Sequence, residues 1–175
     1  IRGGLAIATV AACALFGAIS GSSNAAAATM GKVTLPEMKR YRYNDSLATA
    51  SVASAGCLGI LIPPSGIMII YGVMTEQNIS QLFAAGLVPG IILTILMCIA
   101  VELICSRHPD YGPPGEKTSI TEKIKSLSGI FDMAILFILV IGGMMVGWFT
   151  PTQGGAIGAF GAFVLGRLRG TLSLK

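Results

Sequence analysis

Gly56-Cys57-Leu58-Gly59-Ile60-Leu61-Ile62-Pro63-Pro64-Ser65 interrupts an otherwise apolar passage that runs from Ser46 to Met74. Pro63 and Pro64 have no backbone N–H to donate, and Pro64 pushes Pro63 out of the helical region. Gly56 and Gly59, just upstream, let a second backbone come close. The passage 46–74 is long enough to span a hydrocarbon core of about 30 Å even with the interruption. It predicts a helix broken at membrane depth, which is tolerated where the loosened backbone lines a cavity or is covered by protein.

Composition supports a membrane setting. Hydrophobic residues make up 53% of the 175 and charged residues 11%, whereas a soluble domain carries about a quarter charged residues. Mean hydropathy is +0.77, so lipid must replace the missing polar skin. The apolar pattern is already running by Gly4, without an initiator Met or a signal peptide before it. It ends at Leu174 and Lys175 directly after an apolar segment. We expect a piece of a longer protein with no soluble domain attached. The cysteines, Cys13, Cys57, Cys98 and Cys105, lie in or beside apolar stretches without a close pair. They read as small packing residues rather than metal ligands or disulfides.

Upstream of the break, Gly3 to Ile19 is apolar, Ser20-Gly21-Ser22-Ser23-Asn24 is polar, and a short apolar run from Ala25 to Val33 stops near Pro36. The second arm is too short to cross the core at about 1.5 Å per residue. Residues 1–35 therefore read as a re-entrant helical hairpin. Downstream, 82–105 is a transmembrane helix. Residues 106–128 form a cytoplasmic loop with an amphipathic helix from Thr121, in which Ile120, Ile124 and Leu127 share one face. A further span covers 129–149, Thr150-Pro151-Thr152-Gln153 turns, and 154–170 begins another. The fold class is an all-α polytopic membrane protein.

If the hairpin returns to its own side, all 12 lysines and arginines fall on one side of the membrane. The opposite loops, Thr75 to Ser80 and Thr150 to Gln153, contain Glu76 and no basic residue. This is the positive-inside pattern, so the basic side is cytoplasmic and the net charge of +4 needs no nucleic-acid partner.

The hairpin tip, Ser20, Gly21, Ser22, Ser23 and Asn24, offers hydroxyls, an amide and free backbone groups between two helix ends. A helix N-terminus suits an anionic group, and loose carbonyls suit Na+. The break, with Gly56, Gly59, Pro63, Pro64 and Ser65, is its natural partner, since discontinuous helices build ion sites from unwound backbone. The competing accounts are small-residue helix packing for the tip and a proline kink for the break. Gly21-Ser22-Ser23-Asn24 also matches an intramembrane serine nucleophile, but the one histidine, His108, sits beside Pro109 in a loop. Glu102 and Asp132 lie near the cytoplasmic ends of their segments and read as interfacial. No enzyme activity, cofactor or structural metal is expected.

Several stretches resemble the large membrane subunit of tripartite ATP-independent periplasmic (TRAP) transporters. They are Arg2-Gly3-Gly4-Leu5-Ala6, Phe16-Gly17-Ala18-Ile19-Ser20-Gly21-Ser22-Ser23, the Gly56–Ser65 break, and Leu82-Phe83-Ala84-Ala85-Gly86-Leu87-Val88-Pro89-Gly90. Phe149-Thr150-Pro151-Thr152 before a small-residue helix continues the likeness. This chain departs from the family pattern at Gln153, where Glu is usual, and at Arg42, where Gly often precedes Tyr43. The resemblance implies an elevator-type carrier with two inverted repeats, of which one is present. It implies Na+-coupled import of a small carboxylate, such as a C4-dicarboxylate or sialic acid, across the bacterial inner membrane. A periplasmic binding protein delivers the substrate and a small membrane subunit braces the large one. By position, the tip and the break would form one Na+ site, and Ser22, Ser23, Asn24 and Ser65 would line the substrate cavity. A related two-hairpin anion carrier without a binding protein, and a non-transporting scaffold subunit, are the alternatives.

The charge distribution makes a testable statement. Single cysteines at Ser106 and Ser126 should label from the cytoplasm, and one at Asn78 from the periplasm. Labelling of position 78 from the cytoplasm overturns the arrangement, hairpin included.

Overall fold

The computed structural model describes residues 3–113 and 134–168. The amphipathic helix expected from Thr121, together with Asp132, Lys117, Lys123 and Lys125, lies outside the described residues, as do Arg2, Arg169 and Lys175. Among the described residues all regular structure is helical. The chain divides into two compact units, Ile1–Lys117 and Thr118–Lys175.

The first unit opens with a helical hairpin, α1 (Gly4–Ser20) and α2 (Ser23–Arg40). Gly21, at φ 61, closes α1 in the left-handed conformation, and Ser22 caps α2 by accepting the Ala25 N–H. The second arm does not stop near Pro36, as the sequence suggested, but carries the helix through it to Arg40. Pro36 removes a single hydrogen bond. Glu37, Met38, Lys39 and Arg40 are good helix formers, Met38 is fully buried, and the two cations complement the helix C-terminus.

The end of α2 is a Schellman motif. The Tyr43 N–H donates to the Met38 carbonyl at 2.9 Å and the Arg42 N–H to that of Lys39 at 3.0 Å. Arg42 holds the left-handed position at φ 58. Glycine is usual at this position because it has no Cβ to clash with the following carbonyl, so the Arg42 departure carries a local backbone cost. Glu76 repeats the arrangement after α5 at φ 55, with the Gln77 N–H on the Gly72 carbonyl at 2.9 Å.

Asn44 starts α3 (Asp45–Gly56), its Oδ1 accepting the Ser46 and Leu47 N–H groups at 2.9 and 3.4 Å. Two short pieces follow, α4 (Leu58–Leu61) and α5 (Gly66–Met74). The axis bends by 40° between Asp45–Leu61 and Gly66–Met74, at the two prolines. Then α6 (Ile79–Arg107) runs unbroken for 29 residues with Pro89 inside it. Among the described residues it is the one helix long and apolar enough to cross a membrane unaided, and the bent pair passes the same test together. Phe83, Gly86, Gly90, Val101 and Cys105 bury one face of α6, while Val88, Ile91, Ile95, Ile99 and Leu103 expose another. Exposed apolar surface costs about 25 cal/mol per Å² in water; lipid removes that cost.

In the second unit, the described part of α7 is Ala134–Val146, and α8 is Pro151–Leu168. Gly147, at φ 84, ends α7. The Thr150 N–H donates to Gln153 Oε1 at 2.9 Å and the Gln153 N–H to Thr150 Oγ1 at 3.4 Å. This is a capping box with proline at the first helical position. Gln153 therefore makes the cap that Glu would make, and the turn does not depend on a charge there.

The left-handed arginine yields a prediction. Arg42→Gly should stabilise the protein by about 1 kcal/mol, the scale of the strain that Gly relieves. The check is the midpoint of thermal unfolding in detergent, and a lower midpoint contradicts the assignment of strain.

Candidate ion and substrate site

The tip of the hairpin is seated on the broken helix, backbone against backbone. A methyl group placed on Gly17 would lie 2.6 Å from the Gly59 Cα, and one on Gly59 would lie 2.9 Å from the Ser22 carbonyl oxygen. One placed on Gly21 would lie 2.6 Å from the Pro64 carbonyl oxygen, and one on Gly56 would lie 2.8 Å from the Ala27 Cβ. None of these four glycines can gain a Cβ without moving a neighbouring element. The close approach that glycine permits is realised at each of them.

This seating brings four helix ends together. The α1 C-terminus at Ser20 and the α4 C-terminus at Leu61 present carbonyl groups, the negative ends of their dipoles. The N-termini of α2 and α5 present N–H groups; the Gly66 N lies 3.6 Å from where a Gly21 Cβ would be. Carbonyl ends favour a cation and N–H ends favour an anion, so helix ends of both kinds face this junction.

The candidate residues differ in their surroundings. Ser65 is 0% exposed, and its Oγ is a buried side-chain polar atom with no hydrogen-bond partner. It occupies the N-cap of α5, yet its hydroxyl makes no capping bond. An unpaired buried hydroxyl costs about 1–3 kcal/mol, a cost that a bound group at this atom would remove. Pro63 is fully buried beside it, Pro64 is half-buried, and Gly56 and Gly59 are buried. Ser20, Gly21, Ser22 and Ser23 are half-buried at the tip, and Asn24 is exposed. Ser20 Oγ donates to the Ser22 carbonyl at 3.4 Å, a long and weak bond. Two neighbours were not among the sequence candidates. Gly17 lies in the last turn of α1, four residues before the Gly21 cap, whose N–H donates to the Gly17 carbonyl at 2.8 Å. The Leu61 carbonyl lies 2.9 Å from where a Gly86 Cβ would be, which ties the break to α6.

His108 follows α6 and stacks on Tyr111, with ring centroids 5.1 Å apart. Gly112, in the same loop, abuts Gly3 at the start of α1. A 17-residue helix separates that end of α1 from the tip, about 25 Å at 1.5 Å per residue. No imidazole reaches Ser22 or Ser23, so the nucleophile reading fails on geometry. Glu102 is exposed on α6.

Comparison with known proteins identifies the family. Residues 1–175 match the family model described as Tripartite ATP-independent periplasmic transporter, DctM component. The C4-dicarboxylate TRAP transporter large permease protein DctM of Pseudomonas aeruginosa is 39% identical over 165 residues, covering 94% of this chain and 38% of that protein. The ectoine/5-hydroxyectoine TRAP transporter large permease protein UehC of Ruegeria pomeroyi is 36% identical over 165 residues, 94% of this chain and 38% of its own length. The sialic acid TRAP transporter large permease protein SiaM of Vibrio cholerae is 34% identical over 176 residues, 100% of this chain and 41% of its own. This chain thus spans about two fifths of the length of these three relatives, which are transporter permease proteins and not enzymes. With its helical hairpin, broken helix and membrane-length α6, the chain belongs to the DctM family of TRAP transporter large permease subunits, which are membrane proteins.

Proposed function

We propose that the first unit supplies one half of the translocation site in a Na+-coupled importer of a small carboxylate. The observation that carries this reading is the buried, unpartnered Ser65 hydroxyl, set where the hairpin tip meets the break. Na+ binds among the carbonyl groups at the ends of α1 and α4 together with the hydroxyls of Ser65 and of Ser22 or Ser23. The substrate carboxylate lies on the N-terminal side, toward the ends of α2 and α5, with Asn24 at the rim. Bound Na+ offsets the substrate's charge and orders the tip, so each ligand raises the other's affinity. The substrate class follows the relatives named for C4-dicarboxylate and sialic acid.

The hairpin is re-entrant, with its base on the cytoplasmic side where the basic residues gather. The chain crosses the bacterial inner membrane several times. A second, inverted repeat completes the site, and the hairpin, the break and α6 travel together in an elevator-type motion. A periplasmic binding protein delivers the substrate, and a small membrane subunit braces the large one.

The test is uptake against Na+ concentration in the complete permease, normalised to protein in the membrane. Losing one ligand of hydrogen-bond strength in a buried site costs about 1–3 kcal/mol, so Ser65→Ala, and one of Ser22→Ala or Ser23→Ala, should raise the half-maximal Na+ concentration roughly five-fold or more. Gly59→Val should act differently, lowering abundance and maximal rate because overpacking a backbone contact costs about 1–3 kcal/mol. Unchanged Na+ dependence in all three serine variants removes the hairpin from ion binding. Uptake that needs no added binding protein contradicts the delivery step.

A further inference from the structure

The root of the hairpin is built as deliberately as its tip. Gly3, the N-cap of α1, has no side chain to accept the free N–H groups of the first turn. One of those groups, the Leu5 N–H, donates instead to the phenol oxygen of Tyr43 at 3.1 Å. Tyr43 is 38 residues away, beyond the second arm. The cap of the first arm is therefore delivered by the residue that follows the second arm, and the hairpin closes through a hydrogen bond at its base.

The chain is bent to achieve this. The left-handed Arg42 turns the backbone so that Tyr41 stays 49% exposed while Tyr43 goes inside at 7%. The next residue fixes the turn, since the Asn44 N–H donates to the Tyr111 carbonyl at 3.0 Å. Gly112 and Gly3 abut beside Cys105, which is fully buried. Burial pushes the Tyr43 phenol above its ordinary value, with the Leu5 N–H drawing it partly back, so the ring stays neutral. Two clamps thus hold α1, Tyr43 at its root and the Gly17–Gly59 contact at its far end. An unbroken helix held at both ends has its tilt fixed, and a shift at the root moves the tip with it.

We propose that Tyr43 is a positioning residue: by capping α1 from beyond the second arm, it sets the tilt that seats the hairpin tip on the broken helix. The consequence for Na+ rests on the transport reading above; the consequence for seating does not. Tyr43→Phe keeps the ring and removes the acceptor. Leu5→Pro removes the donor at a first-turn position where proline is tolerated.

The experiment uses the complete permease with Cys57, an exposed thiol, replaced by Ala and a reporter thiol introduced as Ser23→Cys at the half-buried tip. The rate of reaction with a water-soluble maleimide, without Na+, should rise about three-fold or more with either change, the scale of one hydrogen bond. The two changes together should do no more than either alone, because they break the same bond. In parallel, with Ser23 intact, Tyr43→Phe should raise the half-maximal Na+ concentration for uptake while leaving the maximal rate per transporter unaltered. A merely structural defect would lower the rate and abundance instead. Maleimide rates unchanged by both variants overturn the proposal, as do additive effects. Faster tip reaction with uptake that ignores Na+ in the unaltered protein sustains the positioning role and overturns the Na+ coupling.

Discussion

Two backbones touch where Gly17 and Gly21 of the hairpin meet Gly59 and Pro64 of the broken helix, and the rest of the site depends on that contact. A Cβ at any of these glycines would hold the elements apart. The four helix ends would then no longer converge beside Ser65. The same approach covers backbone at the interruption of the helix, where the Pro64 carbonyl meets Gly21.

The solvent shapes the remainder of the first unit. Water would penalise the exposed apolar face of α6 and the exposed Ile67, Ile70 and Val73 of α5. In a bilayer that surface carries no such penalty, and stability shifts to close packing among small residues and to complete hydrogen bonding. The caps show this second requirement. Asn44, Asn78 and Ser22 each accept N–H groups at a helix start, and the chain after α2 and after α5 turns back to satisfy carbonyls. Lost hydrogen bonds are costly where no water replaces them.

Much of this was legible in the sequence because glycine, serine and proline clusters act through local backbone rules. Gly56 to Ser65 had to break a helix, and Ser20 to Asn24 had to turn one, whatever surrounded them. The length of α2 was less legible, since Pro36 is a strong local signal that was outweighed by the burial of Met38 and by the good helix formers after it. Gln153 read as a lost charge, although Thr-Pro-x-Gln is a capping-box pattern that keeps its function without one. Tyr43 carried no signal at all as a cap. Its partner lies 38 residues away, and only the folded hairpin brings the phenol to the Leu5 N–H. The same holds for Ser65, whose missing partner is a property of the three-dimensional site.

Amide hydrogen exchange of the complete permease, compared in Na+ and in K+ at equal ionic strength, tests the central claim most directly. If the tip and the break form one ion-stabilised unit, peptides covering residues 20–26 and 57–66 should slow together in Na+, while peptides from the apolar middle of α6 should not change. Exchange that is the same in both salts, or that slows at the tip and not at the break, would contradict the account.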